Sequence, residues 1–324
     1  MKKMSSITIA VVCLVLALTA SPSWTSDKYP SRSIQLICPF AAGGTSDLSA
    51  RIVGNKMGEI LGQPIVVMNK TGGGSSVGIN FVAGSKPDGY TILTASAGMV
   101  LIPMITPQLP YKMGDLVPLG RLVTWNNMIV VGKDLPVKTF SEFVAYARKN
   151  PNTLSYSSSG VGNTSHFIGE FINMELKLDV QHIPYPGENP AITAVLGNHV
   201  QVSYVSLPTS LQHVRSGAVK ALAVFSNKRD PELPQVPSST EEGYPDLLAA
   251  SYHIFYAPAK TPAAILKQLE TVFEKALQDK EVSGKIEALG LTLSYLNSQE
   301  TKKFLDNEYK KWSVVAKKAN IVVK

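Results

Sequence analysis

Three segments concentrate glycine and hydroxyl side chains, the residue types that bring backbone N–H groups and fixed O–H donors up to a ligand. They are residues 40–47 (Phe40-Ala41-Ala42-Gly43-Gly44-Thr45-Ser46-Asp47), 71–78 (Thr71-Gly72-Gly73-Gly74-Ser75-Ser76-Val77-Gly78) and 157–165 (Ser157-Ser158-Ser159-Gly160-Val161-Gly162-Asn163-Thr164-Ser165). Each follows a strand-like apolar run and opens a helix-periodic one. A helix start leaves several N–H groups without partners, and its dipole favours negative charge. The first loop holds no Lys or Arg. Three such loops, similarly placed, suit the binding of a small anion by backbone amides and hydroxyls.

Other chemistries fit the residues less well. Gly73 and Gly78 have the outer spacing of a P-loop, but Ile79 and Asn80 stand where Lys and Ser/Thr are needed. The G-x-G-x-x-G pattern fails at Val77, so no nucleotide or other cofactor is expected. Gly74-Ser75-Ser76-Val77-Gly78 does match G-x-S-x-G and leaves open an exported hydrolase with Ser76 as nucleophile, although no acid and histidine can be assigned to it. His166, His182, His199, His213 and His253 lack metal-ligand spacing, and no metal site is expected. His166 opens a helix after the third loop, where its ring either faces a ligand or packs. Asp47 either contacts ligand or water, or caps its helix and orders the loop; the second is its larger expected role.

The elements that must hold these loops alternate strand and helix. Strands are expected at 34–38, 64–68, 90–94, 128–131, 154–156, 180–182, 200–205, 221–225 and 252–256. Helices are expected at 48–61, 77–84, 140–149, 166–176, 191–196, 211–216, 262–278, 281–289 and 298–318. This order implies an α/β fold of mainly parallel sheets flanked by helices, in which ligands bind beyond the carboxyl ends of the strands. The division expected is one lobe from 27–124 plus 251–324 and a second from 125–250, with crossovers near 124–128 and 249–253 and a helical C-terminal segment.

The 324 residues have room for about two domains. With 44% apolar and 17% charged residues the chain is neither disordered nor a nucleic-acid-binding tail protein. Residues 1–26 read as an export signal: Lys2 and Lys3, an apolar run over 7–18 too short to span a bilayer comfortably, then small residues. Without those lysines 29 basic residues face 24 acidic ones, a mild excess. Cys13 leaves with the signal, and Cys38 ends an apolar strand, where a thiol acts as a small hydrophobe.

Read in order, Tyr29-Pro30, the segment from Ile34 to Asp47, Leu61-Gly62-Gln63-Pro64-Ile65-Val66-Val67 with Asn69-Lys70, and Lys86-Pro87-Asp88-Gly89-Tyr90-Thr91 resemble the Bug-type solute receptors, the periplasmic binding components of tripartite tricarboxylate transporters. So do Ser159-Gly160-Val161-Gly162, His166, Gly169-Glu170, His182-Ile183-Pro184-Tyr185, Leu222-Ala223-Val224 and Pro234-Gln235-Val236-Pro237. The resemblance spans nearly the whole mature chain. It implies a two-lobed periplasmic binding protein fold of type II-like form, a small carboxylate ligand in the cleft, no catalysis, and delivery to membrane permease subunits; a ligand sensor serving a signalling partner would look the same. A monomer is expected, with no nucleic-acid partner.

The expected ligand-binding set is Phe40, Ala41, Gly43, Gly44, Thr45, Ser46, Asp47, Gly73, Gly74, Ser96, Ser159, Gly160, Asn163, Thr164, His166, Tyr185 and Ser206. Two departures from the family pattern bear on the ligand. Pro186 stands where the family commonly has Lys, and Val205-Ser206-Leu207 carry no acid where one is often found. The missing acid argues for a plain carboxylate, aromatic or dicarboxylic, over an amino acid.

Overall fold

The computed structural model describes residues 29–106, 108–319 and 321; the expected export signal at 1–26 lies outside the described residues. The fold below is that of the compact unit 32–324.

Short apolar runs build the first set of parallel strands. In β1 (Ile34–Cys38) Ile34, Leu36, Ile37 and Cys38 are fully buried, as a parallel strand covered on both faces requires. It pairs with β2 (Ile65–Asn69) and β3 (Thr91–Ala95). Helix α1 (Thr45–Leu61) connects β1 to β2 and buries Ala50, Val53 and Met57. It stops at Gly62, whose φ of 71° only glycine adopts cheaply and whose N–H returns to the carbonyls of Gly58 and Glu59. Helix α2 (Ser76–Ala83) connects β2 to β3, and α3 (Gly98–Ile105) follows β3. The α3 helix escapes sequence periodicity because its eight residues are almost all apolar and include Pro103.

Two long strands carry the chain onward. β4 (Leu116–Gly132) pairs antiparallel with β9 (Ala250–Pro258) from Leu116 to Asn126, and β9 also pairs with β3. From Asn127 onward β4 changes partner, to β7 (Val202–Ser206) and β8 (Val219–Val224). The expected strand at 128–131 is only its last part; Pro118, Gly120 and Asn126-Asn127 break the sequence signal of a strand that the pairing holds together.

The second parallel set is β5 (Ser155–Ser158), flanked by β6 (Gln181–Pro184) and β7. Its helices are α4 (Phe140–Lys149), α5 (Thr164–Leu176), α6 (Glu188–Leu196) and α7 (Leu207–Arg215). The full strand order is β2-β1-β3-β9-β4-β7-β5-β6, with β8 and β10 (Thr292–Asn297) both on β4, so the sheet is mixed where sequence suggested mainly parallel strands. Strand β10, bulged between Leu293 and Leu296, has no counterpart among the sequence-predicted elements.

After α8 (Ala263–Leu277) and α9 (Lys280–Glu287) the chain ends in α10 (Ser298–Lys318). Trp312 on α10, 1% exposed, meets Phe167 and Phe171 of α5 edge-on at 5.8 and 6.0 Å. The same helix packs on α3. The C-terminal segment, assigned from sequence wholly to the first lobe, therefore packs on helices that flank both sets of strands.

Candidate functional site

A cleft of about 460 Å³ lies at the carboxyl ends of the parallel strands, where open α/β sheets bind ligands. The residues that precede five helices line it. Their N-caps are Gly44 (α1), Ser75 (α2), Asn163 (α5), Gly187 (α6) and Ser206 (α7), and none of the five helices has a side-chain cap hydrogen bond. By contrast Thr139, Asp279 and Asn297 cap α4, α9 and α10 with their side chains, and none of these lines the cleft. Uncapped starts leave N–H groups and positive dipole ends turned toward one space. No Lys or Arg is among the lining residues, so the positive ends offered to the cleft are those of backbone.

The first loop is braced from behind. Asp47, 2% exposed, accepts from the Gly43 N–H at 2.9 Å, from Asn69 Nδ2 at 2.9 Å and from Arg51 Nε at 3.0 Å. Asn69 also donates to the Phe40 carbonyl and accepts from Arg51. Burial pushes the Asp47 pKa up, but the hydrogen bonds from Arg51, Gly43 and Asn69 outweigh it and hold the carboxyl below its usual range. The helix cap itself is Gly44, not Asp47. Gly43 has a φ of 80°, so a glycine is needed there to turn the chain.

The third loop is built from its own hydroxyls. Ser165 Oγ accepts from the Ser159 N–H at 2.9 Å, and Asn163 Nδ2 donates to the Ser159 carbonyl at 2.7 Å. Gly160 and Gly162 take φ of 122° and 81°. Beneath it, the Gly162 N–H donates to His166 Nδ1 at 3.2 Å, His166 stacks on His182 at 3.9 Å, and His182 Nε2 lies 2.6 Å from Ser158 Oγ. Burial lowers the His166 pKa to about 4; burial and then the neighbouring His166 lower that of His182 to about 3.

Of the sequence-predicted residues, the structure brings Phe40, Ala41, Gly44, Thr45, Ser46, Gly74, Ser96, Ser159, Asn163, Thr164 and Ser206 to the cleft wall. Gly43, Asp47, Gly73, Gly160, His166 and Tyr185 do not line it. Gly43, Gly160 and Asp47 shape the loops, and the His166 ring packs under the third loop instead of facing a ligand.

The floor comes from the strands that join the two sets. Trp125 on β4 and Ser251 and His253 on β9 line it. His253 Nε2 is 2.6 Å from Ser46 Oγ, Nδ1 is 3.4 Å from Ser49 Oγ, and the ring meets Trp125 edge-on at 4.6 Å. Complete burial lowers its pKa to about 3, so the ring is neutral. This is a serine–histidine pair with a hydroxyl, not a carboxylate, behind the imidazole, which is not the arrangement of a hydrolytic triad. Ser76, the alternative nucleophile, does not line the cleft and makes no hydrogen bond to a histidine among the described residues.

One cleft residue bears on a sequence argument. Ser206 carries no acid beside it in sequence, yet Glu188 reaches it from α6: Glu188 Oε2 accepts from Ser206 Oγ at 2.5 Å and from Thr209 Oγ1 at 2.7 Å. Pro186, Gly187, Glu188 and Asn189 all line the cleft and were missed. Their signal was a glycine before a helix start, as in the three loops, but with an acid at the first helical position.

No helix among the described residues is long and apolar enough to cross a membrane, and no group of three or more His, Cys, Asp or Glu could hold a metal ion. The profile described as "Tripartite tricarboxylate transporter family receptor" matches residues 49–321. The chain is 31% identical to Protein BugT of Bordetella pertussis over 98% of both chains. It superposes on the periplasmic binding protein BugD with a TM-score of 0.80 at 31% identity, covering 91% of this chain and 100% of that one. An R. palustris protein solved with adipate gives a TM-score of 0.82 at 28% identity over 91% and 99% of the two chains. MatC from Rhodopseudomonas palustris with bound malate gives 0.78 at 28% over 89% and 99%.

Proposed function

Because the chain belongs to the tripartite tricarboxylate transporter receptor family, we propose that it is an extracytoplasmic solute receptor that takes a small carboxylate into this cleft and delivers it to a permease of that transporter type. The observation that carries the proposal is the convergence of five helix starts without side-chain caps on one cleft with no Lys or Arg. A carboxylate oxygen can accept from such amides, and the dipoles offset its charge without an ion pair. About 460 Å³ suits a small organic acid. Relatives solved with adipate and malate support the class of ligand.

Residues 27–124 with 251–324, and 125–250, act in this proposal as two lobes. The walls come from both, Thr45 and Ser46 from one and Ser159 and Thr164 from the other. The hinge lies at 124–128 and 249–253, where β4 changes partner. A ligand drives closure to the extent that it binds the closed form more tightly. Closing brings the two loop sets onto one ligand and presents a defined surface to the permease.

A thermal-shift panel of mono-, di- and tricarboxylates and amino acids tests the binding step, since a ligand of the folded state raises Tm. At least one member should raise it in a saturable way. A panel without effect, with sugars or cations stabilising instead, contradicts the reading. Loss of uptake in cells on deleting either receptor or permease tests delivery.

A further inference from the structure

Glu188 is the one lining residue with a formal charge, since His253 is neutral and the remaining lining side chains are apolar or uncharged. Its carboxylate is set in place. Both hydroxyls, Ser206 Oγ and Thr209 Oγ1, converge on a single oxygen, Oε2, and Ser206 Oγ and Thr209 Oγ1 are themselves 2.8 Å apart. The other oxygen, Oε1, has no hydrogen-bond partner among the described residues, and the residue lines the cleft. Glu188 stands in the first turn of α6, where a negative charge suits the positive end of the helix dipole. It comes from the second strand set, whereas the amides of Thr45 and Ser46 come from the first.

The cleft is therefore polarised, with donors of fixed geometry at several helix starts and one anchored anionic acceptor. We propose that Glu188 reads a cationic group on the ligand, so that the receptor selects a small carboxylate that also bears an ammonium, an aminocarboxylate. The inference rests on the carboxylate reading of the cleft and deepens it. A second ligand carboxylate brought near Glu188 would meet like charge in a site without Lys or Arg, which disfavours plain dicarboxylates; an ammonium there gains a charge-assisted hydrogen bond to Oε1. A zwitterion needs no counter-charge beyond Glu188 and the helix dipoles. The absence of an acid after β7, which in sequence argued against an amino acid, is made good by an acid from a different element at the same serine.

The test uses matched pairs that share a carbon chain and differ in the amino group: propionate against alanine and β-alanine, butyrate against 4-aminobutyrate, succinate against aspartate, and glutarate against glutamate. Binding to the wild-type protein and to Glu188→Gln is read by thermal shift and calorimetry. Glutamine keeps the volume and can accept from Ser206 and Thr209, but has no charge. In the wild type the preferred amino member should bind at least tenfold more tightly than its partner without the amino group. In Glu188→Gln that preference should fall at least tenfold, with binding of the unaminated partner unchanged or improved. A wild-type preference for unaminated acids or dicarboxylates overturns the inference while leaving the carboxylate reading intact, as does a preference that survives Glu188→Gln. If neither member of any pair binds while an uncharged or cationic ligand does, the carboxylate reading falls and the inference with it.

Discussion

His253 Nε2 lies 2.6 Å from Ser46 Oγ, joining the first turn of α1 to the middle of β9 across 207 positions of sequence. The contact fixes a helix start that lines the cleft to one of the two strands proposed as the hinge. His253→Ala removes the ring that also supports Trp125 and leaves the buried Ser46 hydroxyl without this partner. A stability loss of about 2–4 kcal/mol is expected from the cavity and the lost partner, measured by urea unfolding. His253→Gln should recover part of it. A loss below about 0.5 kcal/mol for the alanine variant would show that the contact does not brace the helix start.

The two glycines of the first loop should separate binding from folding. Gly44 caps α1 at a φ of −76°, open to any residue, and an added Cβ would meet only the Ala41 carbonyl at 3.5 Å. Gly44→Val should weaken ligand binding tenfold or more, about 1.4 kcal/mol, with little change in Tm. Gly43→Val, at a φ of 80°, should lower Tm instead, since a β-branched residue is strained there. Equal effects of the two variants on Tm would contradict this division.

Gly169 should not tolerate even a methyl group. A Cβ there would sit 2.3 Å from the Tyr156 ring, which is buried beneath Tyr204 and His182. Gly169→Ala is expected to cost about 1–3 kcal/mol from overpacking, read as a fall in Tm. An unchanged Tm would mean that the Tyr156 ring can move aside.

Acid should destabilise the fold through the buried His166 and His253 and the half-buried His182. The pKa of His166 is lowered to about 4, and those of His182 and His253 to about 3, from 6.5, in each case chiefly by burial. The unfolded chain takes up these protons first. Their contribution is therefore full above about pH 6.5 and is lost progressively as the pH falls from there toward 4 for His166 and toward 3 for His182 and His253. By pH 5 each has lost about 2 kcal/mol of it. The fall in Tm between pH 7.5 and 5 should be smaller in His182→Asn than in the wild type, after allowing for the lower starting Tm. The same fall in both proteins would assign acid sensitivity to other groups.

The loops were readable because their chemistry is local: glycine where φ is positive, hydroxyls beside a helix start, and an apolar strand in front. Helix starts at Thr45 and Thr164 lay two or three residues earlier than the apolar stripes suggested, because the capping residues use no side-chain bond that periodicity would reveal. Trp125 and His253 were not readable. Each sits in a strand-like run, and only the antiparallel register of β4 and β9 brings them together. Glu188 was hidden for another reason, since an acid in a first helical turn is an ordinary surface feature until Ser206 and Thr209 are seen to hold it. His166 was placed on the correct helix, but nothing in sequence shows that its ring turns inward onto His182.

In the proposed site helix-start amides, and no Lys or Arg, hold a ligand carboxylate between two parts of the chain. The most direct measurement is a crystal structure with the tightest-binding carboxylate of the thermal-shift panel. Carboxylate oxygens are expected within hydrogen-bond distance of N–H groups at Thr45 or Ser46, directly or through one water. The same ligand is expected in contact with Ser159, Asn163 or Thr164 on the facing wall. A carboxylate bound by Lys or Arg side chains outside this cleft, or a ligand touching only one of the two walls, would contradict it.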